Sequence, residues 1–351
     1  MKNPADLSST SMKDEIKEYF SSELKGKPSL ALLYKNIKGD LDEVEKALQV
    51  FSKSSNIIIS EIGSYLFQKS GKRIRPALLI LCAKLLGYTG KEHINTSALV
   101  ETIHTASLLH DDIIDHSDTR RGKETVHAKW GPNITVLLGD YLYIKTLGLS
   151  LESNYKDITK ILTDASAEMI DGELFEYYLS GNLDIKEHEY LDILDKKTAS
   201  LFAASCQIAG ILGKASEVEL NRLISCGRNL GMSFQLIDDL LDFSGEAKTL
   251  GKPVLSDLNE KRITLPLIYT LKVDGTENRR RIATILNEKK LTDESTQEIL
   301  DMVQSNGALE YTFQKAEEFA FKSRDLINLF PKSIYRDTLA MVSDFVLNRS
   351  L

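Results

Sequence analysis

The sequence predicts an all-α protein, and three observations carry that expectation. Its 351 residues hold only 7 prolines, with none between Pro132 and Pro253. That interval is rich in Leu, Ile, Ala, Glu and Lys, a mixture that favours helix and that strands rarely tolerate. Apolar residues elsewhere recur at spacings of three and four, and glycines fall between the periodic segments as breakers.

Along the chain, residues 1–28 are polar and Ser-rich and are expected to be a loosely docked leader, with 29–351 forming a single domain. Leu41, Val44, Leu48 and Phe51 mark the buried stripe of a first long helix. Gly71 breaks the pattern before Lys72-Arg73-Ile74-Arg75-Pro76, where Pro76 pre-sets a new helix start. After a break at Gly87 to Gly90, Ile94, Ala98, Ile103 and Ala106 form a second stripe. Breaks from Gly122 to Gly131, near Gly181, at Gly213 and from Gly245 to Pro253 divide the remainder into further helices. No long linker and no repeat of fixed period is present.

Hydrophobic residues at 42% and charged residues at 27% suit a soluble globular chain with a sizeable core. The formal charge of −7 argues against a nucleic-acid binder, which needs a basic face. Cys82, Cys206 and Cys226 lack both the close pairing of a zinc site and an even count for disulfides. They are expected to be reduced core thiols in a cytoplasmic protein. Asp6, Asp14, Glu15 and Glu18 near the start argue against a signal or Arg-rich transit peptide. No apolar run approaches the roughly 20 residues that cross a bilayer, although transient contact with a membrane surface stays open.

The most informative segment is Asp111-Asp112-Ile113-Ile114-Asp115, directly after Ala106-Ser107-Leu108-Leu109. On a helix Asp111 and Asp115 share a face, with Asp112 about 100° round from Asp111. Like charges at that spacing repel by a few tenths of a kcal/mol. A solvated helix face tolerates this, and so does Mg²⁺, which takes carboxylate and phosphate oxygens and keeps several waters. Asp238-Asp239-Leu240-Leu241-Asp242 repeats the spacing in an even more apolar helix, and the duplication favours the metal. Paired across a cavity, the two triads would hold several Mg²⁺ ions around one diphosphate, a clamp on a leaving group.

Joining two substrates requires a second anion site made of cations without metal. Lys72 offers a point charge and Arg75 a bidentate fork for phosphate oxygens. His104, seven residues before Asp111, lies two turns back on the same helix, either as a phosphate donor or as a hydrogen-bonded core histidine. Arg120 and Arg121 follow the first cluster closely. Like Lys197 and Lys252, they would equally suit ordinary surface ion pairs.

These segments resemble the trans-isoprenyl diphosphate synthase, or polyprenyl synthase, family. The resemblance runs from Gly71-Lys72-Arg73 through Glu101 to Asp112 and Arg120-Arg121-Gly122, then Lys197-Thr198-Ala199, to Asp257-Leu258 and Thr264-Leu265-Pro266. It implies a helical bundle of the isoprenoid synthase type around a deep central cavity, assembled as a homodimer. It also implies successive head-to-tail 1'-4 condensations of isopentenyl diphosphate with an allylic diphosphate. The allylic C–O bond ionises, the isopentenyl double bond attacks, a proton leaves, and fixed cations stabilise the departing diphosphate.

By the same resemblance, Lys72, Arg75, His104 and Arg121 bind isopentenyl diphosphate, while Arg120, Lys197, Thr198, Gln235 and Lys252 grip the allylic diphosphate. Three Mg²⁺ ions would rest on Asp111, Asp115 and Asp238, with Asp112, Asp239 and Asp242 bound through water or orienting the direct ligands. One departure stands out: the family commonly has Glu-Gly-Lys before its Thr-Leu-Pro, where this chain has Glu260-Lys261-Arg262-Ile263. Without the glycine, a turn at positive φ is harder to form.

Ala106 and Ser107 are both small, at positions where short-chain relatives of the family place an aromatic ring. A residue just over one turn before Asp111 lies roughly 6 to 8 Å deeper, where a growing tail must pass. The resemblance therefore implies a product of C35–C40 or longer, with its floor further down, around Ile161 to Met169. Close helix packing is the other reading of Ala106. A geranylgeranyl synthase, a class I terpene cyclase and a silent partner subunit are the alternatives. A cyclase usually carries an Asn/Ser/Glu motif in place of the second cluster, and silent subunits often lack the clusters. A phosphohydrolase built on His110-Asp111 would need further His ligands, and His93, His116, His127 and His188 show no companion motif.

Overall fold

The computed structural model describes residues 29–67, 71–120, 122–152, 156–244, 254–273, 277–288 and 291–348. The leader, Arg121 and the break from Gly245 to Pro253 with Lys252 lie outside them. The described residues are helical apart from one antiparallel hairpin, β1 (Thr119–Arg120) with β2 (Lys123–Glu124). Before it come α1 (Leu30–Tyr34), α2 (Lys38–Phe51), α3 (Ile57–Phe67), α4 (Ile74–Leu85) and α5 (Glu92–Ile114). After it come α6 (Val126–Trp130), α7 (Pro132–Ser150), α8 (Lys156–Tyr178) and α9 (Glu187–Leu194).

A π-helical turn, Asp195–Ala199, joins α9 directly to α10 (Ser200–Leu212), and the 28-residue α11 (Glu217–Ser244) follows. A single turn, α12 (Ser256–Asn259), leads to α13 (Leu265–Val273), α14 (Glu277–Leu286), α15 (Asp293–Ser305), α16 (Ala308–Asn328) and α17 (Ile334–Leu347).

The expected stripes are the packed faces: Leu41, Val44 and Leu48 are buried on α2, and Ala98, Ile103 and Ala106 on α5. α10 is buried almost all round, as a helix without a polar face must be, and it packs against α4, α5, α8 and α11. Its Phe202 and Ile208 are fully enclosed, and burying each such side chain contributes roughly 1.5–3 kcal/mol. This axial helix fixes the relation between α5 and α11, the two carriers of the aspartate clusters.

The expected breaks at Gly87, Gly181 and Gly213 separate helices, while the segment from Gly122 to Gly131 holds β2 and the short α6 rather than a plain loop. The three cysteines are free and buried, with the Cys82 and Cys206 sulfurs 3.9 Å apart. Burial pushes the Cys226 thiol up to about 12, which leaves it unreactive. No helix among the described residues is long and apolar enough to cross a membrane.

Candidate active site

The first cluster closes α5. Asp111 and Asp112 lie in its last turn and Asp115 caps it, donating its amide to the Asp111 carbonyl at 2.8 Å, so the spacing read from sequence persists to the helix end. His116 then turns the chain with φ +51, and the β1–β2 hairpin brings Arg120 back over the cluster. Its Nε donates to the buried Asp112 carboxylate at 2.6 Å.

On α11, Asp238 is half-buried while Asp239 and Asp242 are buried. Asp239 accepts from the Tyr190 hydroxyl and, at 3.1 Å, from Gln235 Nε2, and Gln235 in turn accepts from the Thr198 hydroxyl at 2.9 Å. Asp242 accepts the Ser256 amide at 3.0 Å, the Ser256 hydroxyl at 2.7 Å and the Asp257 amide at 3.2 Å. The start of α12 is thereby pinned to the second cluster.

Lys197 and Thr198 are presented by the π turn, whose extra residue per turn redirects side chains at a site. Two glycines admit it. A Cβ on Gly172 of α8 would lie 2.7 Å from the Lys197 amide nitrogen, and one on Gly231 of α11 would lie 2.6 Å from the Ala199 Cα. Arg228 braces the same turn by bonding Asp195 at 2.5 Å and Glu168 of α8 at 2.7 Å. Lys197 Nζ then reaches Glu173 at 2.6 Å and Glu176 at 2.5 Å.

The Glu260-Lys261-Arg262 departure keeps its turn without glycine. Lys261 takes φ +61, and its carbonyl accepts the Gly181 amide at 2.8 Å. Arg262 then points into the cleft, where it pairs with Asp115, Glu176, Asp257 and Glu260.

Burial raises the Asp111 carboxyl to about 7, with Glu173 and Asp115 adding repulsion against the pull of Lys197 and Arg120. Burial likewise raises Asp242 to about 7 and Asp239 well above the usual carboxylate range, reinforced by the neighbouring Asp257. Among the described residues no three such groups converge on one point; the carboxylates rest on Arg120, Lys197 and Arg262 instead. The donor set still suits a hard divalent cation: oxygen ligands only, crowded and mutually repelling, on two helices held by a common third.

The residues expected at the second anion site are divided between the start of α4 and α5 itself. Lys72 is exposed just before α4, Arg75 in its first turn stacks its guanidinium 4.6 Å over the Phe202 ring, and His104 is half-buried on α5. Arg73, between them, is structural: it is buried and bonds Glu45 at 2.6 Å and Glu101 at 2.7 Å, holding the loop that carries Lys72. Arg121 and Lys252 lie outside the described residues.

A cavity of about 180 Å³ lies beside the first cluster, bounded by Ser107, Tyr143, Met169 and Leu174, with Asp111, Glu173 and Lys197 also on its wall. Ser107, one of the two residues expected to gate a tail, borders this cavity. Ala106 does not line this cavity: it is 0% exposed and packs with Ile62, Leu109, Leu138 and Leu142, because one residue round the helix turns it from the cleft into the core. Sequence reading also missed Glu173, Glu176, Tyr190 and the ion pairs of Arg262. The available signal was the i, i+3 pair of Glu173 and Glu176, flanking Leu174-Phe175 directly after Gly172.

The Polyprenyl synthetase family pattern matches residues 56–303. The chain is 35% identical over 310 residues to octaprenyl diphosphate synthase of Escherichia coli, covering 88% of this chain and 96% of that protein. It is 33% identical over 291 residues to a short chain isoprenyl diphosphate synthase of Methanothermobacter thermautotrophicus, covering 81% and 88%. Among solved structures, polyprenyl synthase from Caulobacter crescentus, complexed with calcium and isoprenyl diphosphate, superposes with a TM-score of 0.89 at 31% identity, covering 93% of this chain and 100% of that one.

Proposed function

Since the chain belongs to the polyprenyl synthetase family and is a prenyltransferase, we propose that it extends an allylic diphosphate with isopentenyl diphosphate in successive head-to-tail additions to a trans product of C35–C40 or longer. The observation that carries the reading is the pair of carboxylate triads on α5 and α11, joined through Arg262 and Glu176 into one acidic cleft beside an apolar cavity. Calcium and isoprenyl diphosphate bound to the Caulobacter relative are the same classes of ligand.

Asp111, Asp115 and Asp238 would hold Mg²⁺, which when bound acts as a Lewis acid on the allylic diphosphate. Lys197 and Arg120, now on carboxylates, carry the charges that meet the phosphate oxygens. The hydrogen-bonded set Thr198, Gln235 and Tyr190 orients Asp239. Lys72, Arg75 and His104, with Arg121, hold the isopentenyl diphosphate, and Lys252 grips the allylic one. The buried wall at Met169 keeps water from the allylic cation, and the departing diphosphate accepts the proton.

Exposed Leu137 and Ile144, two turns apart on α7, and exposed Tyr177 and Tyr178 at the end of α8 support a homodimer. The deciding experiment incubates the purified chain with Mg²⁺, farnesyl diphosphate and labelled isopentenyl diphosphate, then separates the dephosphorylated products. Prenols of C35 or longer meet the expectation. A C20 product identifies a short-chain enzyme, a cyclic hydrocarbon identifies a cyclase, and no incorporation identifies a silent subunit. Light scattering reads the assembly.

A further inference from the structure

Four carboxylates surround one guanidinium. Arg262 Nη1 lies 2.7 Å from Glu260 and 3.4 Å from Asp257, Nε lies 3.3 Å from Glu176, and Nη2 bonds Asp115. The partners come from separate elements: the cap of α5, the end of α8, α12 and the turn after it. The Arg262 side chain is 17% exposed and that of Asp115 6%, so solvent screens the pairs weakly. A planar fork with donors on three nitrogens spreads over four carboxylates arriving from several directions, more than one ammonium nitrogen spans. The same side chain also acts on Asp239, so it links the first cluster to the second.

Asp115 is also a residue proposed to hold metal, and a carboxylate oxygen bonded to a guanidinium must be released before a cation takes its place. We propose that Arg262 is a resident counter-ion: it neutralises the acidic cleft of the metal-free protein, draws α5, α8 and α12 together, and yields Asp115 when divalent metal enters. It is a positioning residue, and its hold on Asp115 sets the metal concentration at which the site fills. This rests on the magnesium reading of the clusters.

The test follows thermal unfolding of the full chain across a Mg²⁺ titration without substrate, for wild type, Arg262→Gln and Arg262→Lys. Arg262→Gln is expected to melt lower without metal, because Asp115, Glu176, Asp257 and Glu260 then repel one another. Its half-saturating Mg²⁺ is expected to fall about three- to tenfold, since no ion pair has to be displaced. Arg262→Lys keeps the charge but not the fork, should melt between Arg262→Gln and wild type, and should show a smaller fall. A purely structural arginine would lower the metal-free melting point and leave the Mg²⁺ midpoint unmoved or raised, and that result overturns the proposal. Should Arg262→Gln not fold, Arg262→Lys decides alone: a midpoint equal to or above wild type overturns it. A wild-type protein whose melting ignores Mg²⁺ removes the metal reading itself, and the proposal with it.

Discussion

Gly172 faces the backbone of Lys197 so closely that a Cβ added there would lie 2.7 Å from the Lys197 amide nitrogen. That approach lets Glu173 and Glu176 of α8 reach Lys197 Nζ. Gly172→Ala must therefore push α8 and the π turn apart. Overpacking of this kind costs roughly 1–3 kcal/mol, and a Lys197 displaced by about 1 Å costs tenfold or more in turnover. Melting and kcat measured together check it; a folded variant with wild-type kcat would show that the contact does not position Lys197.

Asp111→Ala and Asp238→Ala each remove one arm of the proposed metal clamp, from α5 and α11 respectively. Each should lower turnover at least about a hundredfold, since such a clamp contributes several kcal/mol to the transition state. Circular dichroism establishes that the fold is kept. Near-normal activity in folded Asp111→Ala would remove that residue from the site.

The aspartate clusters were legible because a helix converts spacing directly into a shared face, and the stripes on α2 and α5 were legible for the same reason. What surrounds the clusters was not. Tyr190 meets Asp239 across 49 residues, and Arg262 meets Asp115 across 147, contacts between elements that only the tertiary packing brings together. The π turn has no sequence mark beyond the two glycines that make room for it. Arg73 shows the converse: a cation inside a motif of phosphate-binding type serves half-buried Glu45 and buried Glu101.

Tyr190→Phe removes the hydroxyl that donates to the buried Asp239 and leaves Gln235 Nε2 as the donor seen on that carboxylate. Taking a donor from a buried group costs about 1–3 kcal/mol. Because Asp239 is proposed to orient the metal rather than to bind isopentenyl diphosphate, kcat should fall about tenfold while the isopentenyl KM holds. Steady-state kinetics with each substrate varied separates the two. A KM effect alone would place Tyr190 elsewhere in the cycle.

Lys261→Gly should stabilise the protein. Lys261 sits at φ +61, a left-handed conformation that costs a side-chain-bearing residue roughly 1–2 kcal/mol. Glycine removes that cost and returns about 0.5–1 kcal/mol of chain entropy, so the net gain is about 0.5–1 kcal/mol. The Gly181 amide still finds the carbonyl at residue 261, which any residue supplies. Denaturant unfolding measures it, and a loss of stability would mean that the Lys261 side chain makes contacts outweighing its backbone strain.

Ser107 and Ala106 are neighbours on α5 with different surroundings, and the two positions carry different expectations. Ser107 borders the cavity with Tyr143, Met169 and Leu174, its hydroxyl turned back to the His104 carbonyl at 2.9 Å, so it presents a small, internally satisfied surface. A ring at this position would enter the space beside Asp111 that a growing tail must cross. At about 6 Å below the cluster, Ser107→Phe should shorten the product to about three or four isoprene units, with the first condensation still running because every phosphate and metal group is untouched. Ala106 is 0% exposed among Ile62, Leu109 and Leu142, so Ala106→Phe has no cavity to enter and must overpack the core. That substitution should cost roughly 1–3 kcal/mol of stability, and any change in product length should come with it. Chromatography of the dephosphorylated products, alongside melting curves, distinguishes the two positions. An active Ser107→Phe enzyme with an unchanged length distribution means that the tail does not pass residue 107. A fully stable Ala106→Phe enzyme with shortened product would return the gate to Ala106.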